Sequence, residues 1–135
     1  MAAVDTAVTP KSGAAALGQK LQVLQAKINF ANTNLAVADW FQVLNIEAGD
    51  IVIGGALTVL TPCTATAKVA IATSSALLAA TLVDTAAGTT TPFSNTAGIG
   101  TGAADTVDVT GSVAAIETGE ILVTAVVLKS QDFEG

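Results

Sequence analysis

The chain has no histidine and no tyrosine, a single cysteine, and lysine as its only basic residue. Each absence removes a class of chemistry. Without histidine, the commonest general base and metal ligand is missing, and Cys63 has no partner for a cysteine–histidine nucleophile. One cysteine cannot close an internal disulfide, and no stretch has metal-ligand spacing, so packing must hold the fold and no cofactor or metal is expected. Without arginine, the bidentate clamp for phosphate, carboxylate and guanine is gone. The five lysines, Lys11, Lys20, Lys27, Lys68 and Lys129, are scattered, and the net charge is −6. Direct nucleic-acid binding is therefore not expected.

Charge of either sign is scarce. Charged residues make up 12% of the 135 residues, against 51% hydrophobic ones, about half the usual charged share. A surface so poor in charge predicts that other chains cover part of it, hence an assembly. Apolar runs such as 51–60 and 76–83 are far shorter than the ~20 residues that span a bilayer. Residues 1–20 lack the basic start and apolar core of a secretory signal. Neither membrane insertion nor export is predicted.

What the chain does have is strand pattern and turn chemistry. Residues 1–20 are small and interrupted by Pro10 and Gly13, a composition that cannot build its own core, and they read as an extended N-terminal arm laid on a neighbour. Residues 21–130 read as one β-sandwich domain and 131–135 as a C-terminal tail. Leu24, Ala26, Ile28 and Phe30 alternate with polar residues and favour a strand over the helix that Leu21, Leu24 and Ile28 also permit. Segments 40–46 and 51–61 flank a turn. On them Trp40, Leu44 and Ile46 are expected to share one face, and Ile51, Ile53, Leu57 and Val59 another; Phe41 and Val43 then lie on an apolar opposite face that a second sheet or a subunit covers. Period two predicts a strand over 64–73. Residues 74–83 fit either a capped helical turn or a short strand. Residues 84–105, rich in Gly, Thr and Ser around Pro92, read as a long loop with room for a short strand. Segments 106–113 and 121–129 complete the set, with Ile121, Val123, Ala125 and Val127 on one face. Seven or eight short strands define an all-β, antiparallel β-sandwich, jelly-roll-like fold.

A repeat in the two halves of the chain supports the jelly-roll reading. Ile46-Glu47-Ala48-Gly49-Asp50-Ile51 returns as Ile116-Glu117-Thr118-Gly119-Glu120-Ile121. Glycine stands third in each four-residue turn, where a type II turn or bulged hairpin demands positive φ. The flanking isoleucines are expected in the core, and Glu47, Asp50, Glu117 and Glu120 at wet corners. A catalytic or cation-binding role for those acids lacks the histidine, arginine or tyrosine that would complete a site, so solvated corners are the better reading. Cys63 reads as a small buried thiol. Gly98-Ile99-Gly100-Thr101-Gly102 lacks the strand before and the helix after that a dinucleotide loop needs. Asp105 and Asp108, with Asp84, are weak Ca²⁺ candidates, because three residues apart on a strand they face opposite ways. No catalytic set emerges, and an enzyme is not predicted.

The succession Ile28-Asn29-Phe30, Trp40 through Gly54, the alternating 64–73 segment, a Gly/Thr loop, Ala104-Asp105-Thr106-Val107-Asp108-Val109 and Gly119-Glu120-Ile121-Leu122-Val123 resembles small virion structural proteins of tailed bacteriophages, nearest to capsid decoration, or cement, proteins. That resemblance implies a β-sandwich on the capsid surface, made in the host cytoplasm. It implies a homo-oligomer, most often a trimer, that locks subunits of the major capsid protein together. The candidate interface residues are then Val4, Val8 and Leu17 on the arm, Phe41 and Val43, and Leu122, Val126 and Leu128 on the last strand. The alternative is a tail or fibre-associated protein that meets a host receptor through residues 84–105.

Overall fold

A computed structural model describes residues 21–94 and 104–128 of the chain. The arm, including Val4, Val8 and Leu17, the 98–102 glycine motif and the 131–135 tail lie outside the described residues. Among the described residues eight strands run in the order β1 (Leu21–Asn29), β2 (Trp40–Ile46), β3 (Ile51–Thr61), β4 (Lys68–Ala72), β5 (Ala76–Leu82), β6 (Thr90–Ser94), β7 (Asp105–Ser112) and β8 (Glu120–Leu128). They form two antiparallel sheets, β1-β8-β3-β6 and β2-β7-β4-β5. Every connection except the β4–β5 hairpin passes from one sheet to the other, which is the doubled Greek key of a jelly roll.

The inner faces fill the core with small and β-branched side chains. Ile121, Val123, Ala125 and Val127 of β8 all point inward, as their alternation predicts, and meet Val107 and Val109 of β7 and Val69 and Ile71 of β4 in one buried cluster. Branched side chains suit this layer because their restricted rotamers lose little on packing against a pleated surface. Phe30, fully buried, closes the flank between β1 and β2 by stacking on Phe41 at a centroid separation of 6.5 Å.

Four expectations are corrected. Val43 is an extra residue in β2 opposite β7, and Ile53 an extra residue in β3 opposite β8. A bulge inverts the facing of everything beyond it. Phe41 therefore turns inward with Leu44 and Ile46, while Trp40 points out and is 56% exposed. Likewise Val52 rather than Ile51 or Ile53 joins Leu57 and Val59 in the core. The 64–73 strand begins only at Lys68: Ala67 N–H closes a turn on Thr64 C=O at 3.1 Å, and Thr66 is left-handed (φ 63°) with its N–H donated to Asp84 Oδ2 at 2.9 Å. Residues 76–82 are strand, with extra residues on β5 opposite β4, and Leu78 packs against the core while Leu82 is exposed.

The fourth correction concerns the repeat. Neither copy is a hairpin, because β2 and β3 lie in different sheets, as do β7 and β8. Each copy is a corner that carries the chain across the sandwich. The two corners sit at opposite ends, since β2 pairs antiparallel with β7 and β3 with β8, so the repeat marks equivalent sheet-to-sheet crossings at the two ends of the sandwich. Both glycines have the positive φ expected, 85° at Gly49 and 96° at Gly119. Ile46, Ile116 and Ile121 are buried, but Ile51 is only partly so, and Asp50 is 0% exposed rather than a wet corner. Crossing between sheets draws the end of the turn under the fold, where a hairpin tip would project into solvent.

Candidate interaction surface

The register fixes which side chains face outward from β1-β8-β3-β6. Cross-strand rows run Leu21–Leu128–Ile51, Val23–Val126–Gly54, Gln25–Thr124–Ala56, Lys27–Leu122–Thr58 and Asn29–Glu120. The face is graded along its length. One end is apolar, with Val23 61%, Leu21 50% and Ile53 43% exposed beside half-buried Val126 and Leu128. The other end is polar, where Lys27 Nζ stands 3.8 Å from Glu120 Oε2 and Gln25 Nε2 donates to Thr124 Oγ1 at 3.3 Å. Exposed leucine and valine singly are ordinary; a contiguous apolar row rimmed by polar side chains is the signature of a contact surface.

The apolar end is also where the undescribed segments join the fold. Leu21 lies beside Leu128, Ser94 opposite Gly54, and Asp105 opposite Ile46, at the end of the sandwich that carries the Glu47–Asp50 corner. Residues 1–20, 95–103 and 129–135 all attach there.

The sequence-derived contact residues divide accordingly. Leu122, Val126 and Leu128 lie on this outer face, half-exposed. Phe41 and Val43 are half-buried against the protein's own core in the other sheet. Leu21, Val23 and Ile53 belong to the patch but were not singled out. Leu21 and Val23 share parity with Gln25 and Lys27 and could have been read as outward. Ile53 could not, because its facing depends on the bulge.

The polar candidates are occupied in the fold. Asp105 accepts the Ser74 N–H at 3.0 Å and the Thr106 N–H at 2.7 Å, fastening the β4–β5 turn to β7, and Asp108 Oδ1 accepts the Thr106 hydroxyl at 2.6 Å. Asp84 caps Thr66 at the opposite end of the sandwich from Asp105, so the three aspartates do not converge. Among the described residues no group of three His, Cys, Asp or Glu side chains could hold a metal. A shallow groove of about 400 Å³ is lined by Gln42, Asn45, Glu47 and Asp105 among others, and a second of about 350 Å³ by Lys27, Ile28, Asn29, Asn32, Thr33 and Phe41.

Cys63 is buried beneath the second corner. A Cβ on Gly119 would fall 2.7 Å from Cys63 Sγ and 2.5 Å from its Cα, so that turn needs glycine for space as well as for φ. Burial pushes the thiol up from 9.0 to about 11, opposed by the Glu120 N–H and reinforced by the Asp84 charge. Below pH 9.0 both folded and unfolded chains keep the proton. Between 9.0 and about 11 the unfolded chain releases it first, so stability should fall as pH rises through that window. Urea midpoints measured near pH 8 and pH 10.5 should drop further for the natural protein than for Cys63→Ala, roughly by the linkage of one shifted thiol. Equal drops would contradict a buried thiol.

The described residues thus form a two-sheet jelly roll whose β1-β8-β3-β6 outer face is graded from apolar to polar. No protein family and no curated protein matches the sequence. Among solved structures, the fold is similar to that of a chain in the capsid of Ralstonia phage GP4, with 13% identity and a TM-score of 0.62, over 82% of this chain and 84% of that one. At that identity the likeness is one of fold. The nearly equal coverage means the two chains are of similar length.

Proposed function

We propose that this protein is a structural component of a tailed-bacteriophage virion that decorates the capsid, binding the lattice of the major capsid protein from outside and stabilising the shell. The observation that carries this reading is the apolar end of the β1-β8-β3-β6 outer face, set where residues 1–20 join the fold. The fold likeness to a phage capsid chain of similar length and the scarcity of surface charge support it. The role is non-catalytic. Each copy buries a modest area, and the shell gains because the contact repeats over many lattice sites, so separating neighbouring capsid subunits requires breaking it as well. Synthesis in the host cytoplasm and residence on the capsid surface follow from that role.

In this reading the arm contributes capsid contacts through Val4, Val8 and Leu17. Deletion of residues 1–20 should leave the melting temperature of the free domain within a few degrees and weaken co-sedimentation with undecorated capsids at least tenfold, about 1.4 kcal/mol. Unchanged capsid binding by the truncated chain would remove the arm from the interface.

A further inference from the structure

Among the described residues the sandwich has four edge strands, and three are guarded against pairing. β6 is five residues long and carries Pro92, β5 holds extra residues opposite β4, and β2 is kinked by the Val43 bulge. Short length, proline and bulges are the usual devices that stop an edge from accepting another strand. β1 has none of them. It runs nine residues in unbroken register with β8, contains no proline, and among the described residues its other edge pairs with no strand.

We infer that β1 is a self-association edge, on which β1 of a second copy adds antiparallel to make one continuous eight-stranded sheet across a two-fold axis. The side chains fit such a pair centred on Gln25. Val23 then faces Lys27 of the second copy, Leu21 faces Asn29, and Leu24 faces Ala26 on the inner side. Lys27 is the only charged residue in β1, and it is engaged by Glu120 of its own chain. The centred register therefore sets no like charges opposite each other, and each lysine stem can cover the other copy's exposed Val23. Leu21 of the second copy falls opposite Asn29, at the mouth of the groove lined by Ile28, Asn29 and Phe41. A two-fold axis normal to the sheet also points both apolar patches the same way, giving a pair two contacts with any surface it meets. This is a pair, where the resemblance to decoration proteins implies a trimer.

The test uses the full chain free in solution, without capsids, so it stands or fails apart from the decoration role. Sedimentation equilibrium at tens of micromolar should give twice the chain mass. Gln25 is exposed, so its replacement leaves the core intact. Gln25→Lys and Gln25→Glu each place like charges face to face on the axis, and each should weaken the pair at least tenfold while circular dichroism and melting stay unchanged. Mixing the two variants in equal amounts should restore a heterodimer. A monomeric or trimeric natural protein, or a dimer indifferent to both substitutions, would overturn the inference.

Discussion

Gly55→Ala should be strongly destabilising. Gly55 lies in β3, flanked by Ala125 of β8 on one side and Phe93 of β6 on the other. A Cβ there would overlap the carbonyl oxygen of Thr124 and approach the Phe93 ring to 2.7 Å at Cζ. The carbonyl belongs to the backbone of β8, the strand paired on both sides, and cannot retreat without breaking the sheet. Phe93 is 8% exposed and packs in the core cluster. The expected cost is about 3 kcal/mol or more, a large part of the stability of an ordinary domain, and a fall in melting temperature of roughly 10 °C or more. Gly88→Ala is the control. That residue has φ 92° but nothing within 4 Å of an added Cβ, so only the backbone conformation is penalised, at about 1–2 kcal/mol. A Gly55→Ala protein that melts within about 2 °C of the natural one would mean that β3 does not sit between β8 and β6 in this register.

The second large effect falls on capsid binding. Val126 and Ile53 face outward from β8 and β3, near the centre of the apolar patch and away from the β1 edge. Val126→Glu combined with Ile53→Glu places two carboxylates where the proposed contact buries apolar surface. Desolvating them without partners should weaken binding to undecorated capsids about a hundredfold. Both side chains are at least partly in solvent in the free chain, so its melting should change little and the Gln25-centred pair should persist. Together those readouts separate loss of the contact from loss of the fold.

How much of this was legible in the sequence can be traced residue by residue. The alternation of Ile121, Val123, Ala125 and Val127 gave the inward face of β8 because a strand buried on one side imposes period two directly. The glycine in each Ile-Glu-x-Gly turn was legible for a similar reason, since φ near 90° leaves few other choices. The bulges were not. An inserted residue such as Val43 or Ile53 leaves the local composition unchanged and is defined only by the partner strand, which the sequence does not name. Thr64 to Ala67 imitated a strand by alternating Thr and Ala, while the contact that bends it comes from Asp84, eighteen residues away. Asp50 was misplaced because acids at turn tips are usually solvated, and only the topology reveals a corner between sheets. The candidate surface was half legible for the same reason: β8 supplied Leu122, Val126 and Leu128, but the neighbours that turn them into a patch depend on the order β1-β8-β3.

The central claim is that this jelly roll belongs on a capsid lattice, and copy number on the particle tests it most directly. Purified protein added in excess to capsids that lack it, followed by sedimentation and quantitative gel densitometry against the major capsid protein, should give saturable binding at hundreds of copies per particle, in fixed ratio to the lattice subunits. A handful of copies per virion would assign the protein to the tail, and no binding to intact capsids at tens of micromolar would contradict the account outright.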